Sequence, residues 1–283
     1  MITSQPYALI ATDLDGTLLR AGDTVSDRTR AALARAAGAG ARHLVATGRP
    51  VPQVLPLLAE LGYRGLAVCG QGAQVYDTVA GAMISSLRLD RDLAETAVGK
   101  IEAEVGAVFL AVNQSAADGL TLAEREYRMP HPTLPATRVA ERVELWAEPI
   151  NKVLVRHPVL SDEELVEAAR DIVGDLVTVT MAGADTVEIQ PFGVSKATGL
   201  AVAAEWLGLG PEDTIAFGDM PNDIPMFEWV AHGVAMANAH PELKSVADEI
   251  TLSNEDDGIA VILERLYGKS GGVPCGWPAS RIG

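Results

Sequence analysis

Apolar residues come in short bursts along this chain, each closed by a polar, Gly- or Pro-containing turn. Tyr7 to Ala11 is aromatic, aliphatic or Ala, bounded by Pro6 and Gly16. Such a run is too short for a free-standing helix and predicts a strand buried on both faces. His43-Leu44-Val45-Ala46 and Leu66-Ala67-Val68-Cys69 repeat the pattern. Between these runs, Ser26 caps a predicted helix to about Ala39, ended by Gly38 and Gly40, and Pro50 starts a second through Leu61. Strand and helix alternating at this spacing predict an α/β fold with a doubly wound, Rossmann-like parallel sheet. Ligands of such sheets gather at the C-terminal ends of the strands.

From Met83 the pattern changes. Asp90 caps a helix to about Glu104, and Ala107 to Val112 reads as a strand. A polar stretch with Pro130, Pro132 and Pro135 follows. Lys152 to Arg156 is then a strand, Ser161 to Val173 a helix, and Val177 to Met181 and Thr186 to Gln190 are strands about the Ala182-Gly183-Ala184 turn. Paired strands with helices between them predict an α+β module inserted into the sheet. Its expected limits are residues 84–185, which leaves 1–83 and 186–268 to the core. In that second core part Ser195 starts a helix, Thr214 to Gly218 and Gly233 to Met236 are strands, Pro241 to Ala247 is a helix, and Asp257 to Tyr267 is a last amphipathic helix. Residues 269–283 are rich in Gly and Pro, lack periodicity and read as an extended tail.

Composition narrows the function. The chain has 283 residues, 48% of them hydrophobic, enough for one large domain or two moderate ones. No apolar run approaches the ~20 residues of a membrane span. The N-terminus lacks the order of a signal peptide, so the expected location is the cytoplasm. Cys69 and Cys275 have no metal-like spacing and read as reduced thiols. A net charge of −16 argues against nucleic acid or an acidic membrane as partner. An anionic substrate would have to be drawn by local cations against that field.

Candidate chemistry sits where the predicted strands end. Asp13 and Asp15 follow the first strand one residue apart. Asp often begins a turn, but two neighbouring acids repel and are well served by a hard divalent ion with oxygen ligands, such as Mg²⁺. Thr47-Gly48-Arg49 follows the second strand and offers a hydroxyl and an amide with no Cβ in the way, or else a plain strand-to-helix turn. Lys196 lies in the first turn of its helix, where it opposes the helix dipole and a structural role would favour an acid. Asp219, Asn222 and Asp223 crowd the end of the Thr214 strand; one of them serves as an N-cap, but all three are more than a cap requires. Asp13, Asp15, Asp219 and Asp223 can together supply an Mg²⁺ site.

The order Asp-Leu-Asp-Gly-Thr, Ala-Thr-Gly-Arg, Gly-Val-Ser-Lys and Gly-Asp-Met-Pro-Asn-Asp resembles the four motifs of haloacid dehalogenase-like (HAD) phosphohydrolases. The resemblance continues through Ile189-Gln190-Pro191-Phe192-Gly193 and Val234-Ala235-Met236-Ala237-Asn238-Ala239 to Thr251-Leu252-Ser253-Asn254, in the manner of the Cof-type branch with its α+β cap of the IIB kind. It implies a Mg²⁺-dependent phosphatase of small phosphorylated metabolites, sugar phosphates or a phosphorylated cofactor, working through an aspartyl-phosphate. Asp13 would be nucleophile and metal ligand, and Asp15 the acid/base, binding the metal through its backbone carbonyl. Thr47, Gly48, Lys196 and Asn222 would hold the phosphoryl group, and Asp219 and Asp223 would serve the metal. One departure is visible: this branch commonly has Asn-Gly-Ala where the chain has Gln71-Gly72-Ala73, which puts a substrate contact from that position in question. A phosphotransferase or mutase, and a phospho-ligand sensor, use the same parts; Asp15 and the large insertion favour an enzyme. In the insertion, Arg125, Arg128 and His131 are candidate substrate contacts or solvated loop charges. Trp206 and Trp229 fall where core packing is expected, and His43, His157, His232 and His240 read as structural or surface residues.

Overall fold

The computed structural model describes residues 7–114, 120–129, 136–183 and 186–268. His131, Pro130, Pro132, Pro135 and the 269–283 tail lie outside the described residues. In chain order the first elements are β1 (Leu9–Thr12), α1 (Asp27–Gly38), β2 (Arg42–Ala46), α2 (Val51–Glu60), β3 (Leu66–Cys69), β4 (Gln74–Asp77) and β5 (Ala82–Ser86). The middle of the chain forms α3 (Arg91–Val105), β6 (Phe109–Gln114), β7 (Thr121–Ala123), β8 (Thr137–Arg138), β9 (Ile150–Arg156), α4 (Asp162–Val173), β10 (Val177–Gly183) and β11 (Thr186–Pro191). The last part forms α5 (Lys196–Leu207), β12 (Thr214–Gly218), α6 (Ile224–Trp229), β13 (His232–Ala235), α7 (Pro241–Val246), β14 (Glu249–Ile250) and α8 (Gly258–Tyr267).

Two sheets result. The larger has the order β14-β13-β12-β1-β2-β3-β4-β5. Its strands run parallel from β14 to β3, and β4 and β5 turn back antiparallel at one edge. β1 lies in the middle, with Leu9 in register with Thr214 on one side and Arg42 on the other. All four of its residues are buried, as a central parallel strand requires. The smaller sheet, β10-β11-β9-β6-β7-β8, is antiparallel apart from the β7–β8 pair.

Sheet membership moves the limits expected for the insertion. Ala82–Ser86 hydrogen-bonds to β4 on the larger sheet, so the insertion begins after Ser86 rather than at 84. Thr186–Pro191 pairs with β9 and β10 on the smaller sheet, so that layer runs through Pro191 rather than stopping at 185. β5 is an edge strand exposed over much of its length, so its place on the larger sheet rests on its pairing with β4 rather than on burial. The caps follow the sequence more closely. Ser26, Asp90 and Ser161 each accept a backbone N–H from the first turn of the helix that follows. Trp206 departs from expectation: it is 64% exposed on α5, whereas Trp229 is partly buried against the main core.

Candidate active site

Because β1, β2, β3 and β12 are parallel neighbours, the residues that follow them converge on one edge of the sheet. Asp13 follows β1, and its backbone N–H extends the ladder to Phe217 O at 2.9 Å. The chain then turns through Gly16, whose φ of +76° favours Gly. A Cβ there would lie 2.3 Å from Asp219 Oδ2, so the missing side chain lets this loop press on the end of β12. Thr17 Oγ1 donates to Asp219 Oδ1 at 3.0 Å across the same contact.

Asp13, Asp219 and Asp223 are buried, with one carboxylate oxygen from each within 4.8 Å of the others. Lys196 enters from the start of α5, almost completely buried. Its Nζ donates to Asp13 Oδ1 at 2.5 Å and Asp223 Oδ1 at 2.6 Å. The other Asp223 oxygen accepts the backbone N–H groups of Asp219 and Met220, at 3.0 and 3.2 Å. Burial works against the Lys196 charge, but Asp13 and Asp223 outweigh it and raise its pKa. Burial pushes Asp13 up to about 7, with Lys196 opposing and Asp223 and Asp15 adding to the rise. Asp219 is pushed up to about 9, first by burial and then by Asp13 and Asp223. One ammonium cannot balance three buried carboxylates. An all-oxygen donor set with that excess of negative charge fits a hard divalent cation.

Asp15 stands apart from this cluster. Its side chain is half-exposed, and both its oxygens are held by Arg49, Nε donating to Oδ2 at 3.0 Å and Nη2 to Oδ1. Thr47 is buried, and its Oγ1 accepts the Arg49 backbone N–H at 3.1 Å, leaving the hydroxyl proton to point elsewhere. A Cβ at Gly48 would fall 2.5 Å from Gln71 Nε2, so glycine there lets the Gln71 amide lie close against this loop. Asn222 Nδ2 donates to Gln71 Oε1 at 2.9 Å, while Asn222 Oδ1 is buried without a hydrogen-bond partner among the described residues.

These groups border a cavity of about 430 Å³ between the sheets. Asp13, Asp15, Gly48, Asp219 and Asn222 line it from the larger sheet, and Asn113, Thr121, Lys152 and Glu188 from the smaller. Thr47, Lys196 and Asp223 are buried beside this wall. Arg125 is exposed and does not line the cavity; Arg128 borders a separate surface groove with Arg156 and His157. Arg49, Lys152, Glu188 and Gln53 were not anticipated as site residues. Two of them carried a signal: Lys152 lies within the buried run of β9 that ends at Arg156, and Glu188 is the one charged residue of β11.

Residues 10–263 match the family model of the haloacid dehalogenase-like hydrolases. The chain belongs to that family. It is 30% identical over 281 residues to the 5-amino-6-(5-phospho-D-ribitylamino)uracil phosphatase YitU of Bacillus subtilis, over 93% of this chain and 98% of that one. The HMP-PP phosphatase of Serratia proteamaculans is 29% identical over 247 residues, 86% of this chain and 89% of its own. The sugar phosphatase BT4131, of HAD subclass IIB, superposes with a TM-score of 0.75 at 20% identity, over 92% of this chain and 98% of that one. At that identity the likeness is one of fold, and it includes the inserted α+β layer, the cap of this Cof-type hydrolase. No helix among the described residues of the hydrolase is long and apolar enough to cross a membrane.

Proposed function

We propose that this hydrolase is a Mg²⁺-dependent phosphatase that cleaves small phosphate monoesters through an aspartyl-phosphate on Asp13. The observation that carries the reading is the buried cluster of Asp13, Asp219 and Asp223 with Lys196 between two of them at the strand ends. Asp13 attacks phosphorus and the ester oxygen leaves. Asp15 gives that oxygen a proton, then takes one from the water that opens the acyl phosphate. Arg49 grips both Asp15 oxygens, so each proton transfer requires one arm of that pairing to open. Lys196, the Thr47 hydroxyl and the Gly48 amide hold the phosphoryl oxygens, and Asn222 approaches from the β12 loop. Asp13, Asp219 and Asp223, with the Asp15 backbone carbonyl, would hold Mg²⁺, which supplies positive charge against the phosphoryl group when bound.

The substrate is a small phosphorylated metabolite. The cavity is of the size that holds one. Asn113 Nδ2 of the cap and Gln53 Nε2, reaching across from α2, both donate to Thr121 Oγ1, at 2.7 and 3.1 Å, and Met129 and Leu154 line the same cavity. Amide and hydroxyl groups next to apolar surface suit a hydroxylated leaving group such as a sugar or ribityl chain, the kind of group named for YitU and BT4131.

The test is release of inorganic phosphate from a panel of monoesters, with Mg²⁺, with EDTA, and with Asp13→Asn. Turnover that needs both metal and Asp13 is expected. No release from any ester, with Mg²⁺ binding intact, would overturn the phosphatase reading.

A further inference from the structure

We propose that the buried cap pair Lys152–Glu188 is a strut that sets the geometry of the phosphate pocket, making Lys152, Glu188 and Gln71 positioning residues for phosphoryl binding. This rests on the phosphatase reading of the site.

Lys152 is on β9 and Glu188 on β11. Because Glu188 pairs with Leu154, Lys152 is its diagonal neighbour across the ladder. Both side chains are nearly fully buried and form an ion pair. A buried pair of this kind is often no more stabilising than an apolar pair of the same volume, so its own energy does not account for it. Its outer contacts do. Lys152 Nζ crosses from the cap to donate to Gly48 O at 2.8 Å. Glu188 Oε2 accepts from Gln71 Nε2 at 3.1 Å, and the Gln71 carbonyl oxygen accepts from Asn222. A continuous run of hydrogen bonds thus joins Gly48, Lys152, Glu188, Gln71 and Asn222, beginning and ending on residues of the phosphate pocket.

Each end is fixed in a way that matters to an incoming phosphoryl group. The Gly48–Arg49 peptide has its carbonyl on Lys152 and its N–H on Thr47 Oγ1. That holds the loop rigid and leaves the Thr47 hydroxyl proton available to the ligand. At the other end Gln71 sits at φ +58°, a conformation L side chains rarely adopt, and its amide touches both Asn222 and Glu188. The length of Gln lets one side chain span both layers. The Gln71 amide is therefore committed to the framework of the pocket and is not free for substrate.

A strut acts on bound ester and transition state alike, so its loss raises KM rather than lowering kcat. The test compares wild type, Lys152→Met and Lys152→Met/Glu188→Gln. It reads binding of inorganic phosphate and of Mg²⁺ by calorimetry, melting temperature, and KM and kcat on the best ester. Lys152→Met strands the Glu188 charge and is expected to lower the melting temperature. The double variant removes that charge and is expected to recover it, while phosphate affinity and 1/KM stay about tenfold down, the scale of one lost charge-assisted hydrogen bond. Mg²⁺ affinity is expected within about twofold of wild type and kcat within about threefold. Phosphate affinity restored with stability in the double variant would overturn the strut and leave an ordinary structural pair. Weakened phosphate binding in the double variant of a chain that hydrolyses no ester supports the strut and overturns the phosphatase reading instead. No phosphate binding by the wild-type chain overturns both.

Discussion

Lys196 Nζ lies 2.5 Å from Asp13 Oδ1, although the two residues stand 183 positions apart. The contact joins the first strand to a helix formed after the cap, and it places the nearest cation against the proposed nucleophile. Lys196→Met leaves the carboxylates of Asp13 and Asp223 buried without that partner. Turnover should fall by about 100-fold or more, the scale of losing one preorganised charge at a transition state. Without divalent ions the melting temperature should fall as well, because an uncompensated buried charge is strongly destabilising. Steady-state kinetics and thermal melts check both, and unchanged turnover would remove Lys196 from the mechanism.

Asp13 and Asp15 should fail in different ways. Asp13→Asn takes away the attacking oxygen and should abolish covalent labelling along with turnover. Asp15→Asn keeps the nucleophile but loses the proton donor. It should drop kcat by roughly 10²- to 10⁴-fold for poor leaving groups. The loss should be smaller for esters such as p-nitrophenyl phosphate, whose leaving group needs little protonation. Quenched-flow trapping of phosphorylated enzyme distinguishes the two; labelling of Asp13→Asn at the wild-type level would sink the assignment of the nucleophile.

Much of the candidate site was legible because its residues lie in contiguous stretches, Asp13-Leu14-Asp15-Gly16-Thr17 and Gly218-Asp219-Met220-Pro221-Asn222-Asp223 among them. A strand end and the turn beyond it are local events, so the residues there announce their position. Lys152 and Glu188 were not legible as a pair, since the antiparallel register that makes them neighbours exists only after the cap has folded. Trp206 failed for another reason. α5 is apolar around most of its circumference, and while Gly199, Leu200, Ala203 and Ala204 are buried, Val202 and Trp206 are not. A helix without a polar face gives its periodicity nothing with which to choose a side. The limit expected at residue 84 falls inside β5, an exposed edge strand of five residues whose membership of the larger sheet is set by its pairing with β4 and not by any local pattern.

Removal of metal should be readable in stability as well as rate. Asp13, Asp219 and Asp223 crowd one another around a single ammonium. A cation that binds only the folded chain adds about 2.7 kcal/mol when its concentration is a hundred times its Kd. EDTA should abolish turnover, and Mg²⁺ should raise the melting temperature of the wild-type chain. Asp219→Asn deletes one of the crowded carboxylates, so it should stabilise the metal-free chain slightly while losing most of the response to Mg²⁺. Melts with and without Mg²⁺ measure this directly. An Asp219→Asn variant that gains as much from Mg²⁺ as wild type would place the ion elsewhere.

His43 should set part of the acid sensitivity of the fold from within the core beside β1. Its Nε2 is 2.9 Å from Thr12 Oγ1, its Nδ1 is buried without a partner among the described residues, and its ring stands edge-on to Tyr63 at 5.4 Å. Burial draws the imidazole down to about 4 from the usual 6.5. Between those values the unfolded chain takes up a proton that the folded chain refuses. Stability is therefore unaffected above pH 6.5, falls as the pH drops through 6.5 toward 4, and levels off below. At pH 5 the loss from this one ring is about 2 kcal/mol. Because other groups also titrate, the quantity to compare is the change in urea unfolding free energy from pH 7 to pH 5, wild type against His43→Gln. The variant should lose less stability over that interval by about this amount. Equal losses in the two chains would mean that the ring is protonated in the folded state, with water reaching Nδ1.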